Sequence, residues 1–307
     1  MLDGIQSVLD PRGSESAIIA EMAWVLIAGA ALVFAIVMAI AAYAVFAPRG
    51  RARRLPQRAL LIGGGIVFPT IVLAALLLYS LLRASSLAVA GDGALRIVVI
   101  GEQWWWRVHY LDARGRVDFA TANEIHIPVG RPVDLELRSA DVLHSFWVPA
   151  LGGKLDMIPG KANRMRLSAS QAGEFRGQCA EYCGGPHALM AFFVVAQPEG
   201  EFSAWAARQR EPASIAPPAP GAALFEADCG ACHTVRGTRA AGTRGPDLTH
   251  VGSRLTLGAG RVPLNAETLA EWIAANQRLK PGNLMPQFAH YAPDELRALA
   301  GHLEALR

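Results

Sequence analysis

The sequence Cys179-Ala-Glu-Tyr-Cys-Gly-Gly-Pro-His-Ala-Leu-Met190 places two thiols, an imidazole and a thioether within twelve residues. Upstream, His144 in Val-Leu-His-Ser-Phe-Trp supplies a second imidazole. Copper, zinc and iron–sulfur clusters prefer soft ligands of this kind. Zinc remains open as an alternative, because two cysteines and two histidines complete its tetrahedral site. A disulfide between the two cysteines is a further alternative, but it would leave the histidine and the methionine unexplained.

The residues around this stretch, from about 91 to 207, alternate between apolar and polar. The apolar positions are Ile125, Ile127, Val129, Val133, Leu135, Leu137, Met165 and Leu167. Turn sequences such as Gly130-Arg-Pro132 and Ile158-Pro-Gly160 separate the runs. Short strands at this spacing are typical of a β-sandwich or a β-barrel, which we therefore predict here.

A second cysteine pair, in Cys229-Gly-Ala-Cys232-His233, has the spacing of a c-type haem attachment site. The cysteines hold the haem by thioether bonds, and the histidine is delivered to one face of the iron. Met285 is the candidate ligand on the other face, since a His/Met pair suits electron transfer. The alternatives are a dithiol redox pair or half of a zinc site, and for Met285 a core methionine.

The sequence between the two cysteine pairs contains a Pro/Ala-rich run, Glu211 to Pro220, which predicts an extended linker over residues 208–220. After the linker the periodicity becomes helical, as in Asp294 to Leu306. We therefore predict a small all-α domain over residues 221–307. Three of its histidines, His250, His290 and His302, are expected on its surface.

The N-terminal part has the composition of a membrane anchor. Residues 22–47 and 59–82 contain no charged side chain, and each run is long enough to cross a bilayer. The loop between them carries only basic charges: Arg49, Arg51, Arg53, Arg54 and Arg58. The positive-inside rule places this loop in the cytoplasm and both termini outside. Residues 1–90 are thus expected to form a transmembrane hairpin that is retained rather than cleaved.

Overall composition excludes other classes of protein. The chain of 307 residues is 52% hydrophobic and 18% charged, with a net charge of +3. This charge is too small for a nucleic-acid-binding protein, which shows a clustered basic face. Four cysteines are too few for a disulfide scaffold.

Taken with these motifs, nearly the whole chain resembles subunit II of the haem–copper cytochrome c oxidases, in the caa-type form with a fused cytochrome c domain. The family motif Cys-x3-Cys-x3-His-x2-Met with an upstream His-Ser is matched at every position. The resemblance implies a multidomain membrane protein: a two-helix transmembrane hairpin, a cupredoxin-like Greek-key β-barrel and a C-terminal all-α cytochrome c domain.

The resemblance also implies a role for each residue of the motif. Cys179 and Cys183 would bridge the two coppers of the dinuclear CuA centre. His144 and His187 would each bind one copper. Met190 would be a weak ligand of one copper, and Glu181 would offer its backbone carbonyl to the other. The Glu181 side chain would in addition reach a magnesium ion at the interface with the catalytic subunit. In the cytochrome domain, the Pro246 carbonyl would accept from the ring N–H of His233, which with Cys229, Cys232 and Met285 holds the haem.

Two further positions bear on the route of electrons and protons. Trp104, the first tryptophan of Gln103-Trp-Trp-Trp106, occupies the position where electrons enter from cytochrome c in this family. Packing is the alternative role for three adjacent tryptophans.

Many members carry a glutamate seven residues before a proline of the second span, whereas this chain has Ile62 there. The proton-input role of that glutamate is therefore in doubt for this chain.

The function implied is the subunit through which electrons enter a terminal oxidase of the bacterial inner membrane, with both extramembrane domains on the periplasmic side. Its partners would be lipid, the catalytic subunit that reduces oxygen and pumps protons, a subunit III, and a donor such as cytochrome c or a cytochrome bc complex. No nucleic acid is expected. The alternatives are a subunit of a nitric oxide reductase, a membrane-anchored shuttle or redox sensor without an oxidase, and a structural zinc protein.

Overall fold

The computed structural model describes residues 6–46, 48, 57–84, 95–214 and 220–307. The helices are α1 (Ser14–Phe46), α2 (Gln57–Ala84), α3 (Glu199–Arg210), α4 (Pro220–Leu224), α5 (Ala266–Leu279) and α6 (Pro293–Ala305). The main strands are β1 (Leu95–Glu102), β2 (Trp105–Leu111), β3 (Val117–Ala122), β4 (Glu124–Pro128), β5 (Val133–Ser139), β6 (His144–Trp147), β7 (Leu155–Met157), β8 (Asn163–Leu167), β9 (Gly173–Cys179) and β10 (Ala191–Gln197).

Residues 17–88 form a unit of their own, which contains most of α1 and all of α2. Both helices are long and apolar enough to cross a membrane, as predicted, and α1 begins eight residues before the uncharged run that starts at Met22. Glu21, near the start of α1, accepts from Tyr79 Oη at 3.3 Å and pairs with Arg83, near the end of α2. The two helices are therefore antiparallel. Of the arginine-rich loop only Arg58 lies among the described residues.

The β domain is a sandwich of two five-stranded sheets, in the orders β3-β2-β1-β5-β8 and β4-β10-β9-β6-β7. Strand β1 is parallel to β5, and β4 is parallel to β10, while the remaining pairs are antiparallel. Large side chains fill the space between the sheets, including the fully buried Trp106, Phe146, Phe175 and Phe192. The predicted cupredoxin-like β domain is confirmed.

Strand β4 differs from the alternating pattern in the sequence, because all five of its residues are buried. The reason is helix α3, which the alternation did not predict. Its Trp205 stacks on His126 of β4, with ring centroids 4.0 Å apart, and its Phe202 joins the core of the sandwich. The helix runs to Arg210, so it includes the first three residues of the predicted linker. Residues 215–219 of that linker lie outside the described part of the chain.

The C-terminal segment is helical, as predicted. Helix α5 begins at a capping box in which Asn265 Oδ1 accepts from Thr268 N at 2.9 Å, and α6 carries Pro293 in its first turn. Helix α6 packs on α4 and α5 around a separate apolar core. The surface prediction is wrong for His250 and His302, which are 5% and 7% exposed. Nε2 of His250 lies 3.0 Å from Glu211 O, and the His302 ring packs near Phe225, with ring centroids 5.9 Å apart.

The segment before α1 lies along the β domain. Arg12 N donates to Ala150 O at 2.7 Å, and Ser170 N donates to Arg12 O at 2.7 Å. Ser16 is buried and donates to the same Ala150 carbonyl at 2.8 Å. The residues that precede the first apolar helix are thus part of the β domain's surface.

Candidate metal and haem sites

Two neighbouring strands position the soft ligands of the β domain. His144 is the first residue of β6 and Cys179 is the last residue of β9, and the register of these strands pairs Phe146 with Cys179. The backbone N–H of Cys179 donates to Met190 O at 2.9 Å, and that of Ala180 donates to Ser145 O at 2.9 Å. These bonds close the loop 180–190 over the end of the sheet, where the remaining soft side chains lie.

The two cysteine sulfurs are the centre of this cluster. Their Sγ atoms are 3.7 Å apart, and both cysteines are free thiols. Cys179 Sγ lies 3.8 Å from Nδ1 of His144, and Cys183 Sγ lies 3.4 Å from Nδ1 of His187. Each cysteine therefore faces a different histidine. The ligand atoms of His144, Cys179 and Cys183 all lie within 4.8 Å of one another.

The two weaker donors of the motif approach opposite sulfurs. Met190 Sδ is 3.8 Å from Cys183 Sγ, and the backbone carbonyl oxygen of Glu181 is 3.2 Å from Cys179 Sγ. The Glu181 carboxylate points elsewhere, since its Oε2 lies 3.7 Å from Lys154 Nζ and its side chain is 39% exposed. The structure thus brings all six residues of the motif together around the sulfur pair.

The electrostatics of the cluster follow mainly from the hydrogen bonds within it. The two cysteine sulfurs are in contact, and one of them accepts a hydrogen bond from the other. Cys183 and His144 stabilise the Cys179 thiolate and hold its pKa well below the usual range, whereas Cys179 raises the pKa of Cys183. Burial acts to lower the pKa of His144, but its contacts with Cys179 and Asp141 outweigh burial and raise it. The site therefore favours negative charge on the Cys179 sulfur and keeps the proton on Cys183, which a metal would have to displace.

Asp141 is bonded to this cluster, although the motif did not reveal it. Its Oδ1 accepts from Nε2 of His144 at 2.8 Å, which leaves Nδ1 for a metal. The other carboxylate oxygen accepts from Gln103 N at 2.7 Å. The signal in the sequence was an acid three residues before the histidine, a spacing too common to be specific.

In the cytochrome segment, neighbouring residues hold the His233 imidazole in place. Nδ1 of His233 lies 2.9 Å from Pro246 O, so Nε2 is the nitrogen left for iron. Gly245 lies flat against the ring, and a Cβ there would come within 2.5 Å of Cε1. Cys229 is buried, which raises the pKa of its thiol to about 11, and Cys232 is half-buried.

Met285 lies on the loop between α5 and α6 and is half-buried. Its backbone N–H donates to Asn283 Oδ1 at 3.0 Å, and its carbonyl accepts from Gln277 Nε2 at 3.4 Å. The loop that presents this methionine is thus fixed to the end of α5.

The three adjacent tryptophans lie in different surroundings. Trp106 is fully buried in the sandwich core, and Trp105 lies beneath the guanidinium of Arg107, 4.7 Å from its ring centroid. Trp104 is half-buried, and its Nε1 donates to Cys183 O at 3.0 Å. Packing explains Trp106, whereas Trp104 is bonded directly to a residue of the sulfur cluster.

Two family models match the chain. The one described as "Cytochrome C oxidase subunit II, periplasmic domain" matches residues 115–197, and the one described as "Cytochrome c" matches residues 218–307. The first range covers β3 to β10 of the sandwich and includes the sulfur cluster, and the second covers the helical segment that carries Cys229 and His233.

Individual relatives agree with the models. Cytochrome c oxidase subunit 2 of Alkalihalophilus pseudofirmus is 40% identical over 221 residues, which are 71% of this chain and 63% of that protein. The chain thus spans less than two thirds of that relative. Cytochrome c oxidase subunit 2 of Branchiostoma floridae is 32% identical over 156 residues, which are 45% of this chain and 68% of that protein.

Among solved structures, the periplasmic domain of subunit II of cytochrome oxidase of Bradyrhizobium japonicum shares 31% identity, with a TM-score of 0.37, over 40% of this chain and 97% of that one. On the family models and the identity to the Branchiostoma floridae protein, the chain belongs to the cytochrome c oxidase subunit 2 family.

Proposed function

We propose that this chain is the subunit through which electrons enter a membrane-bound haem–copper oxidase. Electrons would pass one at a time from an outside donor to a covalent haem c, then to a dinuclear copper centre, and on to a catalytic subunit that reduces oxygen to water and pumps protons. The observation that carries the proposal is the sulfur pair of Cys179 and Cys183, in which each sulfur faces a different histidine.

This arrangement favours two coppers over one zinc. A zinc ion takes four ligands in one closed tetrahedron. Here six donors lie together, because His144, His187, the Met190 thioether and the Glu181 carbonyl all surround the two sulfurs, and six are more than one tetrahedral ion takes. Thiolates suit zinc as well as copper, but a methionine thioether beside cysteine and histidine is typical of copper sites. Cys179 and Cys183 would be shared by both metals, and the other four donors would complete the site.

When bound, the copper pair and the haem supply reversible one-electron uptake with little change in geometry. The protein's part is to hold the ligands in place. Strands β6 and β9 do so for His144 and Cys179, and the backbone bonds of loop 180–190 do so for the others. In the cytochrome segment, Pro246 orients His233, and Cys229 and Cys232 would anchor the macrocycle. Met285 would hold the iron together with His233, and this pair of ligands raises the potential of a haem.

Trp104 is the residue through which we expect electrons to reach the copper site. Its indole is bonded to the carbonyl of Cys183, a bridging ligand in this proposal.

The carboxylate of Glu181 lies near Lys154 and is partly exposed, which suits the proposed magnesium site at the contact with the catalytic subunit. A subunit III and a donor such as cytochrome c or a cytochrome bc complex would complete the assembly.

Two apolar helices and a match to a periplasmic domain indicate a membrane-anchored protein whose β domain lies outside the cell membrane. We further propose that both helices span the bacterial inner membrane, with both termini outside. The contact of residues 6–16 with the β domain supports this orientation for the N-terminus, because it places the start of the chain beside an exported domain.

Electron paramagnetic resonance of the full-length chain, loaded with copper and haem in detergent, tests the site. We expect a seven-line signal of one electron shared by two coppers, beside a low-spin c-type haem. Cys183→Ser should convert it to a mononuclear signal, whereas Ser203→Ala, on the exposed side of α3, should leave it unchanged. A colourless, silent site that retains zinc would overturn the copper assignment. Purification without any haem–copper partner would overturn the oxidase role.

A further inference from the structure

The cytochrome segment is in direct contact with the β domain, on the side that carries the copper ligands. The contacts are polar and specific: Ala191 N donates to Ala259 O at 3.0 Å, Leu255 N donates to Glu124 Oε2 at 2.8 Å, and Arg107 Nη2 donates to Thr243 O at 2.9 Å. Gly260 lies so close that a Cβ there would be 2.9 Å from Cβ of Ala191, the residue after Met190. The interface therefore reaches the end of the ligand loop.

Lys280 lies in this interface and is 2% exposed. It follows the last residue of α5, and its Nζ donates to two backbone carbonyls, Gly258 O at 2.9 Å and Trp104 O at 2.6 Å. The first carbonyl belongs to the cytochrome segment and the second to the β domain. One amine thus joins the two domains at the tryptophan that is bonded to Cys183.

The backbone of Lys280 is tied to the methionine loop. Its carbonyl accepts from Asn283 Nδ2 at 2.9 Å, and Asn283 Oδ1 accepts from Met285 N at 3.0 Å. On the other side, Trp104 Nε1 donates to Cys183 O at 3.0 Å. Hydrogen bonds and covalent bonds therefore run without a gap from Met285 through Asn283, Lys280 and Trp104 to Cys183.

We propose that Lys280 is a positioning residue for electron transfer within the chain, which holds the methionine loop of the cytochrome domain against Trp104 and so beside the copper ligand Cys183. The inference rests on the proposed function, since it needs a haem at His233 and a copper centre at the sulfur pair. It adds to that function a fixed contact between the two domains, in place of a cytochrome domain that samples the surface on its linker.

The chemistry of a lysine suits this contact. Burial lowers the pKa of Lys280 to about 7, with the nearby Arg261 acting in the same direction and Cys183 opposing it. An ammonium has three N–H groups and a neutral amine has two, so either form can donate to both carbonyls. A methionine of similar length fills the same space but donates to neither. Two buried carbonyls would then lack a donor, which a packed interface tolerates poorly.

The test compares Lys280→Met with Lys161→Met, the same change at an exposed lysine of the β domain. One electron is delivered to the haem of the full-length chain by a photochemical donor, and its transfer to copper is followed optically. We expect Lys280→Met to slow this transfer by about tenfold, because the methionine loop would no longer be held against Trp104. Lys280→Arg, which keeps donors at this position, should recover part of the rate. Lys161→Met should match the unmodified chain.

Spectra taken before the kinetics separate the two claims. A seven-line copper signal and a low-spin haem with unchanged potentials in Lys280→Met show that both centres are intact, so that only their relative placement has changed. If the centres are intact and the rate equals that of Lys161→Met, the inference about Lys280 is overturned while the proposed function stands. If the unmodified chain shows no dinuclear copper signal, the proposed function itself fails.

Discussion

Asp141 and His144 are joined by a hydrogen bond of 2.8 Å between Oδ1 and Nε2, and this bond decides which nitrogen of the imidazole faces the sulfur cluster. Nδ1 is left 3.8 Å from Cys179 Sγ, inside the group of atoms that lie close enough together to hold a metal. The carboxylate also makes the imidazole a stronger donor to a metal. A residue outside the ligand motif thus sets the geometry of a ligand within it.

Replacing Asp141 with asparagine should weaken copper binding. The amide carries no charge, and it cannot accept from both His144 and Gln103 with its two terminal atoms. We expect copper affinity to fall by about 10- to 100-fold, the usual effect of losing such a partner. Competition with a copper chelator measures the affinity. Asp156→Asn, on the neighbouring strand β7, is the control, and an equal loss in both variants would contradict the assignment.

Glu181→Gln should leave the copper signal unchanged, even though Glu181 belongs to the motif. Only its backbone carbonyl approaches the sulfurs, at 3.2 Å from Cys179 Sγ, and the side chain lies near Lys154. Copper content and the paramagnetic signal of the purified variant check this expectation. Loss of one copper would show that the carboxylate is a ligand after all.

Trp104 and Trp106 should respond differently to the same change. Trp104→Phe removes the indole N–H that donates to Cys183 O, and we expect haem-to-copper transfer to slow about fivefold because this link to Cys183 is lost. Trp106→Phe leaves a cavity against Phe146 and Phe192 and should lower stability by about 1–3 kcal/mol instead. Transient kinetics and thermal denaturation distinguish the two. Equal effects on rate and stability in both variants would contradict these roles.

His302 should make the cytochrome domain less stable in acid. Burial lowers its pKa below the usual value near 6.5, with Glu226 opposing the effect. The unfolded chain therefore binds this proton more readily than the folded chain. The stability contribution is complete above about pH 6.5 and is lost as the pH falls towards the lower, folded-state pKa.

Thermal denaturation followed by haem absorption at pH 7.5 and pH 5 measures this loss. His302→Gln should show a smaller difference in Tm between the two pH values than the unmodified chain. His290→Gln, at an exposed histidine of the same domain, should behave like the unmodified chain. A pH dependence that is identical in all three proteins would rule out His302 as its source.

The sequence was informative where chemistry is local in the chain. The residues around Cys179 and Cys183 are spaced for one loop, and Cys229 and His233 belong to one short motif. These candidate ligands could therefore be predicted without knowing the tertiary structure. Contacts between distant segments were not predictable in this way. Helix α3 covers β4 and buries all five of its residues. The alternating pattern had wrongly predicted that one face of this strand would be exposed.

The contact between the domains was also not predictable from the sequence. A lysine before a Pro-Gly turn is typical of an exposed loop, and only the placement of two domains buries Lys280 between two carbonyls. The residues between Gly91 and Arg210 include 13 acidic and 13 basic side chains. This balance of charge indicated only that the cytochrome domain needs no strong electrostatic steering towards the β domain. The linker already gives the attached domain a high effective concentration.

The measurement that tests the central claim most directly is the rate of electron transfer from haem to copper in the full-length chain, over a series of salt and protein concentrations. We predict a first-order rate that changes with neither, because the donor and acceptor belong to one chain and are held by buried contacts. A rate that rises with protein concentration, or falls steeply with salt, would contradict a docked cytochrome domain that delivers electrons to its own copper site.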